Sequence, residues 1–176
     1  NTRVNILAIL FVFVILLFNF RSITIPIILT LVIELSIWIN LSVPYFSGTT
    51  LFYIGYLIIS SVQLGATIDY AILLTGRYME ERKTRTRLEA ACESVRSCIL
   101  SLFTSAIILT IAGCVLGGIS TNMVLGQLGT LVGRGAVISF LLVVLALPAL
   151  LIIFDKVIEK TTFKTSFYKE DMKHES

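Results

Sequence analysis

Residues 51–76 read LFYIGYLIISSVQLGATIDYAILLTG, a run of 26 residues in which Asp69 is the only charged side chain. About 20 helical residues cross the roughly 30 Å hydrocarbon core of a bilayer, so this stretch is long enough to span a membrane. The whole chain of 176 residues is similar in character, with 56% hydrophobic and 14% charged residues. Soluble domains have about 25% charged residues. The composition therefore argues against a soluble enzyme, a nucleic-acid-binding protein and a disordered chain.

Runs without charge divide the chain into five predicted membrane spans. They cover residues 4–20, 23–43, 51–76, 97–118 and 132–154, and the charged segment 77–96 separates the third from the fourth. We therefore predict an all-α, polytopic transmembrane domain over residues 1–155, built as a bundle of five helices. A polar cytoplasmic tail is predicted over residues 156–176.

The charged segment contains a predicted amphipathic connector helix over residues 84–99. Thr86 followed by Glu89 fits a capping box, in which each residue satisfies a backbone donor of the other. An apolar stripe at helical spacing follows the cap, with charges on the other faces, and consists of Leu88, Ala91, Cys92, Val95 and Ile99. We interpret this segment as a helix on the cytoplasmic membrane surface.

The basic residues predict the orientation of the chain in a cell membrane. Loops that retain Lys and Arg are cytoplasmic, and the loop set formed by Arg21, residues 77–96 and the tail contains 12 basic residues against 2 in the other set. The N-terminus is therefore expected outside and the C-terminus inside. An outside N-terminus without a translocation signal predicts that further sequence precedes residue 1.

Two acidic residues, Glu34 and Asp69, fall inside predicted spans. A charge at the bilayer centre costs at least about 2.5–3.5 kcal/mol on insertion scales, and the neutral, protonated form avoids much of that cost. An intramembrane carboxyl is therefore suited to taking up and releasing a proton, although Asp69 could also form a static hydrogen bond between helices. For Glu34, a titrating group and a helix contact remain equally open.

Asp69 lies in a polar sector of the third span. Ser61 and Gly65 share its face at spacings of four, and this small-x-x-x-small step permits close helix approach. A neighbouring polar stripe consists of Ser60, Gln63, Thr67 and Tyr70, and the fourth span has its own small-residue stripe at Ser94, Ser97, Ser101, Ser105 and Ala112. We expect the two helices to face each other through these stripes, with Ser101 and Ser105 as relay or contact residues and Gln63 as a further candidate.

The fifth span combines small residues with one charge. Gly129 and Gly133 are spaced for close helix packing, and snorkelling to the interface accounts for Arg134. The three cysteines, Cys92, Cys98 and Cys114, match no common zinc pattern and are interpreted as apolar fillers, so no metal is expected.

Several motifs together resemble MMPL-type transporters of the resistance–nodulation–division (RND) superfamily. Residues 65–74, GATIDYAILL, resemble the transmembrane Asp-Tyr motif of that family. The charged segment that begins at Arg77-Tyr78 and the helix over residues 97–118 are similar to the connector and helix that follow the motif. Residues 129–135 and 147–150 are similar to the last helix, and the resemblance covers most of residues 5–155.

The resemblance implies that this chain is the last five helices of the second half of a transporter. It implies proton-driven export of lipids or hydrophobic compounds by antiport, with Asp69 and Tyr70 as the proton relay, protons as the coupling ion and no other cofactor. The expected partners are the lipid bilayer, a missing N-terminal half with extracytoplasmic domains and a hydrophobic substrate. The sequence leaves open whether the protein also forms a homo-oligomer. No enzymatic activity and no nucleic acid are implied.

Two other classes of function remain as alternatives. One is a regulatory or sterol-sensing-like domain of the same superfold that does not transport, because a fold does not fix a function. The other is an intramembrane aspartyl protease, which needs two carboxyl groups at close range. Glu34 and Asp69 are the only two acids available for that role in the predicted spans.

Overall fold

The computed structural model describes residues 2–20, 22–46 and 53–161, and its regular elements in these ranges are all helices. They are α1 (Thr2–Phe20), α2 (Thr24–Phe46), α3 (Tyr53–Glu81), α4 (Arg87–Ile119), α5 (Met123–Ile153) and α6 (Asp155–Thr161). The predicted all-α class is thereby confirmed. The predicted tail beyond residue 161 lies outside the described residues.

Helices α2 to α5 are each long and apolar enough to cross a membrane, whereas the apolar part of α1 that qualifies, Ile9–Phe20, is shorter. Because the helices run up and down, their ends fall into two groups. We call the side on which α3 ends and α4 begins the connector side, and the side on which α2 ends and α5 begins the far side. Helix α5 contacts α2, α3, α4 and α6, so it is the central element of the bundle.

The main apolar core lies between α1, α2, α3, α4 and α5. Aliphatic side chains on facing helices fill it, as the uninterrupted apolar character of each span predicts. Its most buried large members are Leu16, Ile25, Leu29, Val32, Leu74, Tyr78, Leu102, Leu147 and Leu151, together with Ile158 of α6. The outward faces remain apolar, as expected for surfaces in contact with lipid.

The connector is not a separate helix, contrary to the sequence prediction. The capping box is present, with Glu89 N bonded to Thr86 Oγ1 and Thr86 N bonded to a Glu89 carboxylate oxygen. From this cap, α4 continues without a break for 33 residues, about 50 Å. Nothing between residues 87 and 119 stops a helix, because no Pro occurs there and the two adjacent glycines fall at the C-terminal end.

Two further boundaries differ from the prediction. Helix α5 begins at Met123 rather than near residue 132, because the Asn122 side chain caps it by accepting from Val124 N and the mildly polar residues that follow remain helical. The start of the predicted tail is helix α6, whose Ile158 is fully buried. Thr161 of α6 bonds the Thr24 hydroxyl at 2.8 Å, which attaches α6 to the start of α2.

Candidate functional site

The rotational setting of α3 separates its two polar stripes. Ser60, Gln63 and Thr67 are buried against the rest of the bundle, and Tyr70 is 6% exposed. Ser61, Gly65 and Asp69 lie on the exposed side. Successive helical residues are about 100° apart, so Tyr70 points into the core while its neighbour Asp69 points away from it.

The expectation that the Asp69 stripe packs on the serine stripe of α4 is wrong for the part of the chain that the structure describes. Ser101 and Ser105 are exposed like Asp69, and a Cβ added at Gly65 would meet no atom within 4 Å. Helix α4 instead buries the adjacent stripe Ala90, Ala91, Ser94, Cys98, Leu102 and Ala106. Both stripes of α4 consist of serine and small apolar residues, so the sequence does not distinguish which of them packs against the bundle. In the structure the stripe that contains Ala90 and Ser94 is the buried one.

Glu34 is half-buried on α2. Its carboxyl group forms a hydrogen bond with the Trp38 side chain, one turn further along the same helix. This contact of Glu34 therefore lies within α2.

A group of polar side chains, all buried except the half-buried Arg134 at its edge, joins α2, α3 and α5, and we call it the central polar cluster. It consists of Ser36, Asn40, Gln63, Thr67, Arg134 and Ser139. Ser36, Asn40, Thr67 and Ser139 have no exposed surface, and Gln63 is 5% exposed. Polar groups in lipid-facing helices must find partners within the protein, and here they find one another.

Two carboxamides form the part of the cluster nearer to the far side. Asn40 Nδ2 donates to Gln63 Oε1 at 2.8 Å and to Leu131 O at 3.1 Å. Gln63 Nε2 donates to Ser36 O at 3.0 Å. Gly135 makes this arrangement possible, because a Cβ at that position would lie 2.7 Å from Asn40 Nδ2 and 3.0 Å from Gln63 Oε1.

Three hydroxyl groups form the other part. Ser139 Oγ lies 2.7 Å from Thr67 Oγ1 and 3.2 Å from Ser36 Oγ, and Gln63 Nε2 lies 3.2 Å from Ser36 Oγ. Thr67 Oγ1 is also 2.7 Å from Gln63 O, the carbonyl one turn earlier in α3. Every member therefore has a partner, and the cluster fixes α3 relative to α2 and α5.

A buried ion pair connects Arg82, the residue directly after α3, to Asp155 at the start of α6 on the connector side. Arg82 Nη2 lies 2.7 Å from Asp155 Oδ2, the Arg82 and Asp155 side chains are 5% and 3% exposed, and Tyr78 OH donates to Asp155 Oδ1 at 2.7 Å. Burial alone would lower the pKa of Arg82, but the hydrogen bonds and charge of Asp155 outweigh it and raise this pKa above its usual value. The guanidinium therefore stays charged, and this contact stabilises the end of the helix that contains Asp69.

Helices α4 and α5 meet through glycines. A Cβ added to Gly113 would lie 2.6 Å from Gly129 O, and one added to Gly129 would lie 2.6 Å from Gly113 O. Real Cβ atoms do not approach backbone that closely, so this contact requires glycine on both helices. Gly117 and Gly133 complete the contact one turn away on each helix.

The central polar cluster as a unit is not evident in the sequence. The sequence predicts Gln63 as a candidate relay or helix-contact residue, Thr67 only as part of a polar sector, and Arg134 as a snorkelling side chain. A usable signal exists, because Ser36 and Asn40 in one span and Gln63 and Thr67 in the next are both polar pairs at spacing i, i+4. Matching pairs of this kind in consecutive spans predict a shared interface.

Comparisons with known proteins agree with a membrane protein. The membrane protein ActII-3 of Streptomyces coelicolor (strain ATCC BAA-471 / A3(2) / M145) is 29% identical over 159 residues, which are 88% of this chain and 22% of that protein. The chain thus spans about a fifth of that relative's length. No solved structure matches the chain significantly. The model of the MMPL family matches residues 1–166, and with nearly its whole length matched, this multi-pass membrane chain belongs to the MMPL family.

Proposed function

We propose that this chain is part of the membrane domain of a proton-driven exporter of lipids or hydrophobic compounds, and that Asp69 and Tyr70 are its proton relay. The observation that carries the proposal is the exposure of Asp69 on a membrane-spanning helix whose opposite side is fixed by the central polar cluster. A carboxylate facing lipid is strongly unfavourable. In the complete transporter this face therefore borders protein or a water-filled cavity, where a proton can reach the carboxyl group.

The fixed setting of α3 suggests how protonation is converted into movement. Neutralising Asp69 changes the free energy of its contact with whatever borders the exposed face. Gln63 and Thr67 tie α3 to α2 and α5, so α3 does not rotate alone in this proposal. The three helices move together against the bordering surface, while the side chain of Tyr70, the next residue in the chain, stays packed in the core.

The proposed orientation follows the positive charges. The connector side, which includes Arg77, Arg85, Arg87 and Arg96, is cytoplasmic, and the far side faces outward across the cell membrane. Asp69 lies on the connector-side half of α3. Proton release to the cytoplasm would then take the shorter path.

The test uses the full-length protein in sealed vesicles with an imposed proton gradient. Asp69→Asn keeps the size of the side chain but cannot carry a proton, so it should abolish gradient-driven export at normal abundance in the membrane. Asp69→Glu should retain part of the export, and Tyr70→Phe should reduce it. Ser61→Ala is the matched control on the same exposed face and should behave like the wild type.

The same experiment separates the competing function. Wild-type export that depends on the proton gradient and is lost only in Asp69→Asn supports the proposal. Full export by Asp69→Asn would contradict the relay. A wild-type protein that moves no substrate under any gradient would instead favour a regulatory domain of the same superfold.

A further inference from the structure

Arg134 is the only charged residue of α5, and one residue of α2 holds its side chain. Nε donates to Asn40 Oδ1 at 2.9 Å, and Nη2 donates to Asn40 O at 3.0 Å. Asn40 is itself fixed, because its Nδ2 bonds both Gln63 Oε1 and Leu131 O. The guanidinium plane is therefore set in advance, which differs from the freely snorkelling arginine that the sequence predicted.

Most of the donor capacity of this guanidinium is unused by the protein. A guanidinium has five N–H donors, and those of Arg134 make hydrogen bonds only to Asn40 among the residues that the structure describes. The buried side-chain atoms that lack a partner in the described ranges are Thr30 Oγ1 and Thr75 Oγ1. Nη1 of Arg134 is not among them, so its donors remain accessible to a molecule from outside the chain.

The charge of Arg134 also has no counter-charge on its side of the bundle. None of the ion pairs within residues 2–20, 22–46 and 53–161 includes it. By sequence, residues 35–68 and 97–133 contain no acidic residue at all. The far-side parts of α2, α3, α4 and α5 therefore provide no carboxylate, and any neutralising anion must come from outside these segments.

The position of Arg134 points its head group towards a membrane boundary. Helical side chains lean towards the N-terminus of their helix, and α5 begins on the far side at Met123. Asn40 lies six residues before Phe46, where α2 ends on that side, which is about 9 Å of helix. The anions closest to such a boundary are the phosphate groups of phospholipids.

We propose that Arg134, held by Asn40, is a binding site for a phosphate group presented by a phospholipid headgroup in the far-side leaflet. The planar guanidinium matches phosphate oxygens in geometry and charge, and pairing is strongest where water is partly excluded. The site is separate from Asp69 and does not require the proton relay. Phosphate on a lipid and free phosphate share this chemistry, so the experiment must distinguish the two sources.

The test measures lipid binding to the purified full-length protein by native mass spectrometry. Phosphatidylglycerol is compared with a neutral glycolipid of the same acyl chains, and inorganic phosphate is added as a soluble competitor. The wild type should retain one more phosphatidylglycerol than glycolipid. Arg134→Gln should weaken retention of that lipid about tenfold or more, which corresponds to a loss of at least about 1.4 kcal/mol.

Two variants make the result specific to this geometry. Arg134→Lys keeps the charge but cannot form both bonds to Asn40, so its retention should fall between those of the wild type and Arg134→Gln. Arg96→Gln is the matched control, because Arg96 is exposed at the connector-side end of the apolar part of α4. This control should retain the lipid as the wild type does.

Three outcomes would overturn the proposal. Equal losses in Arg134→Gln and Arg96→Gln would indicate that general surface charge retains the lipid. Equal retention of both lipids by the wild type would show that the phosphate group is not recognised. Displacement of the lipid by inorganic phosphate would indicate that the site binds a soluble anion. If Arg134→Gln does not fold, the site is tested by photolabelling instead. A phosphatidylglycerol with a photoreactive headgroup is then applied to the wild type and to Arg134→Lys. Labelling should map to residues 40–46 and 130–134, and labelling elsewhere would contradict the site.

Discussion

The glycine contact between α4 and α5 and the central polar cluster between α2, α3 and α5 join helices in opposite ways. At the first, Gly113 and Gly129 allow backbone to meet backbone because side chains are missing. At the second, Gln63 and its partners require particular side chains. Helices in lipid gain no hydrophobic stabilisation from each other, so they associate by close packing or by interhelical hydrogen bonds. In this bundle, α5 contacts α4 by close packing and contacts α2 and α3 by hydrogen bonds.

The difference has a functional consequence for α3. A glycine contact limits how far apart two helices are, whereas a set of directed hydrogen bonds also fixes the rotation of a helix about its axis. The cluster therefore determines that Gln63 and Thr67 face inward and Asp69 faces outward. Substitutions that disrupt the glycine contact or the central polar cluster separately test whether the cluster sets the rotation of α3.

The largest loss of stability is expected at a third contact between elements, the buried ion pair. The losses at the glycine contact and at the central polar cluster should both be smaller. Asp155→Asn leaves Arg82 buried without its counter-charge, and breaking such a pair costs about 3–5 kcal/mol. Thermal unfolding of the full-length protein in detergent measures the loss. The double variant Arg82→Met/Asp155→Leu should lose much less than Asp155→Asn alone, and a single-variant loss below about 1 kcal/mol would contradict the burial of the pair.

The glycine contact should show the next largest effect. Gly129→Ala places a Cβ against the backbone of α4 and should destabilise the protein by about 1–3 kcal/mol, as overpacking does. Gly76→Ala is the control, because a Cβ there meets nothing within 4 Å. That control should be neutral or stabilising by about 0.5–1 kcal/mol, since alanine favours a helix over glycine. Equal losses in both variants would rule out the close contact.

The central polar cluster should show a loss in stability in the same range, together with an effect on the rotation of α3. Gln63→Leu removes the bonds to Ser36 and Asn40 and leaves both partners buried, which should cost about 1–3 kcal/mol of unfolding free energy. It should also allow α3 to rotate, so a spin label at position 61 should report a broader distribution of environments. An unchanged distribution would show that the cluster does not set the rotation.

The smallest measurable effect is expected for a single hydroxyl of the cluster. Thr67→Val removes the bond to Ser139 at nearly constant volume, and interhelical bonds of this kind average about 0.6 kcal/mol in membranes. A double-mutant cycle with Ser139→Ala isolates the interaction. A coupling energy of zero would indicate that only the carboxamides of the cluster contribute to the stability of the protein.

Most of the fold could be predicted from the distribution of charge. The absence of charge over residues 97–118 and 135–154 is visible in the sequence and identifies α4 and α5 as spans. Their ends could not be predicted in the same way. Mildly polar residues such as Gln127 remain helical when one face packs on α4, and hydropathy does not report that contact.

The candidate site was predictable in part. The residue types and spacings in the third span identified a polar sector that includes Asp69 and Tyr70. They did not reveal which polar stripe packs inside this chain, because a stripe that contacts α2 and α5 has the same composition as one that contacts a different part of a larger protein. The role of Gly135 was also hidden, since it depends on the amide of Asn40 reaching across from another helix.

Substrate-dependent proton movement distinguishes a proton-carrying Asp69 from a static contact. The full-length protein is reconstituted into liposomes that contain a pH-sensitive dye, with Ser61→Ala as the matched control for Asp69→Asn. Substrate should induce proton flux through the wild type and Ser61→Ala but not through Asp69→Asn, and the unfolding temperature of Asp69→Asn should equal that of the wild type. Proton flux through Asp69→Asn equal to that of the wild type would contradict the assignment of Asp69 as the proton carrier.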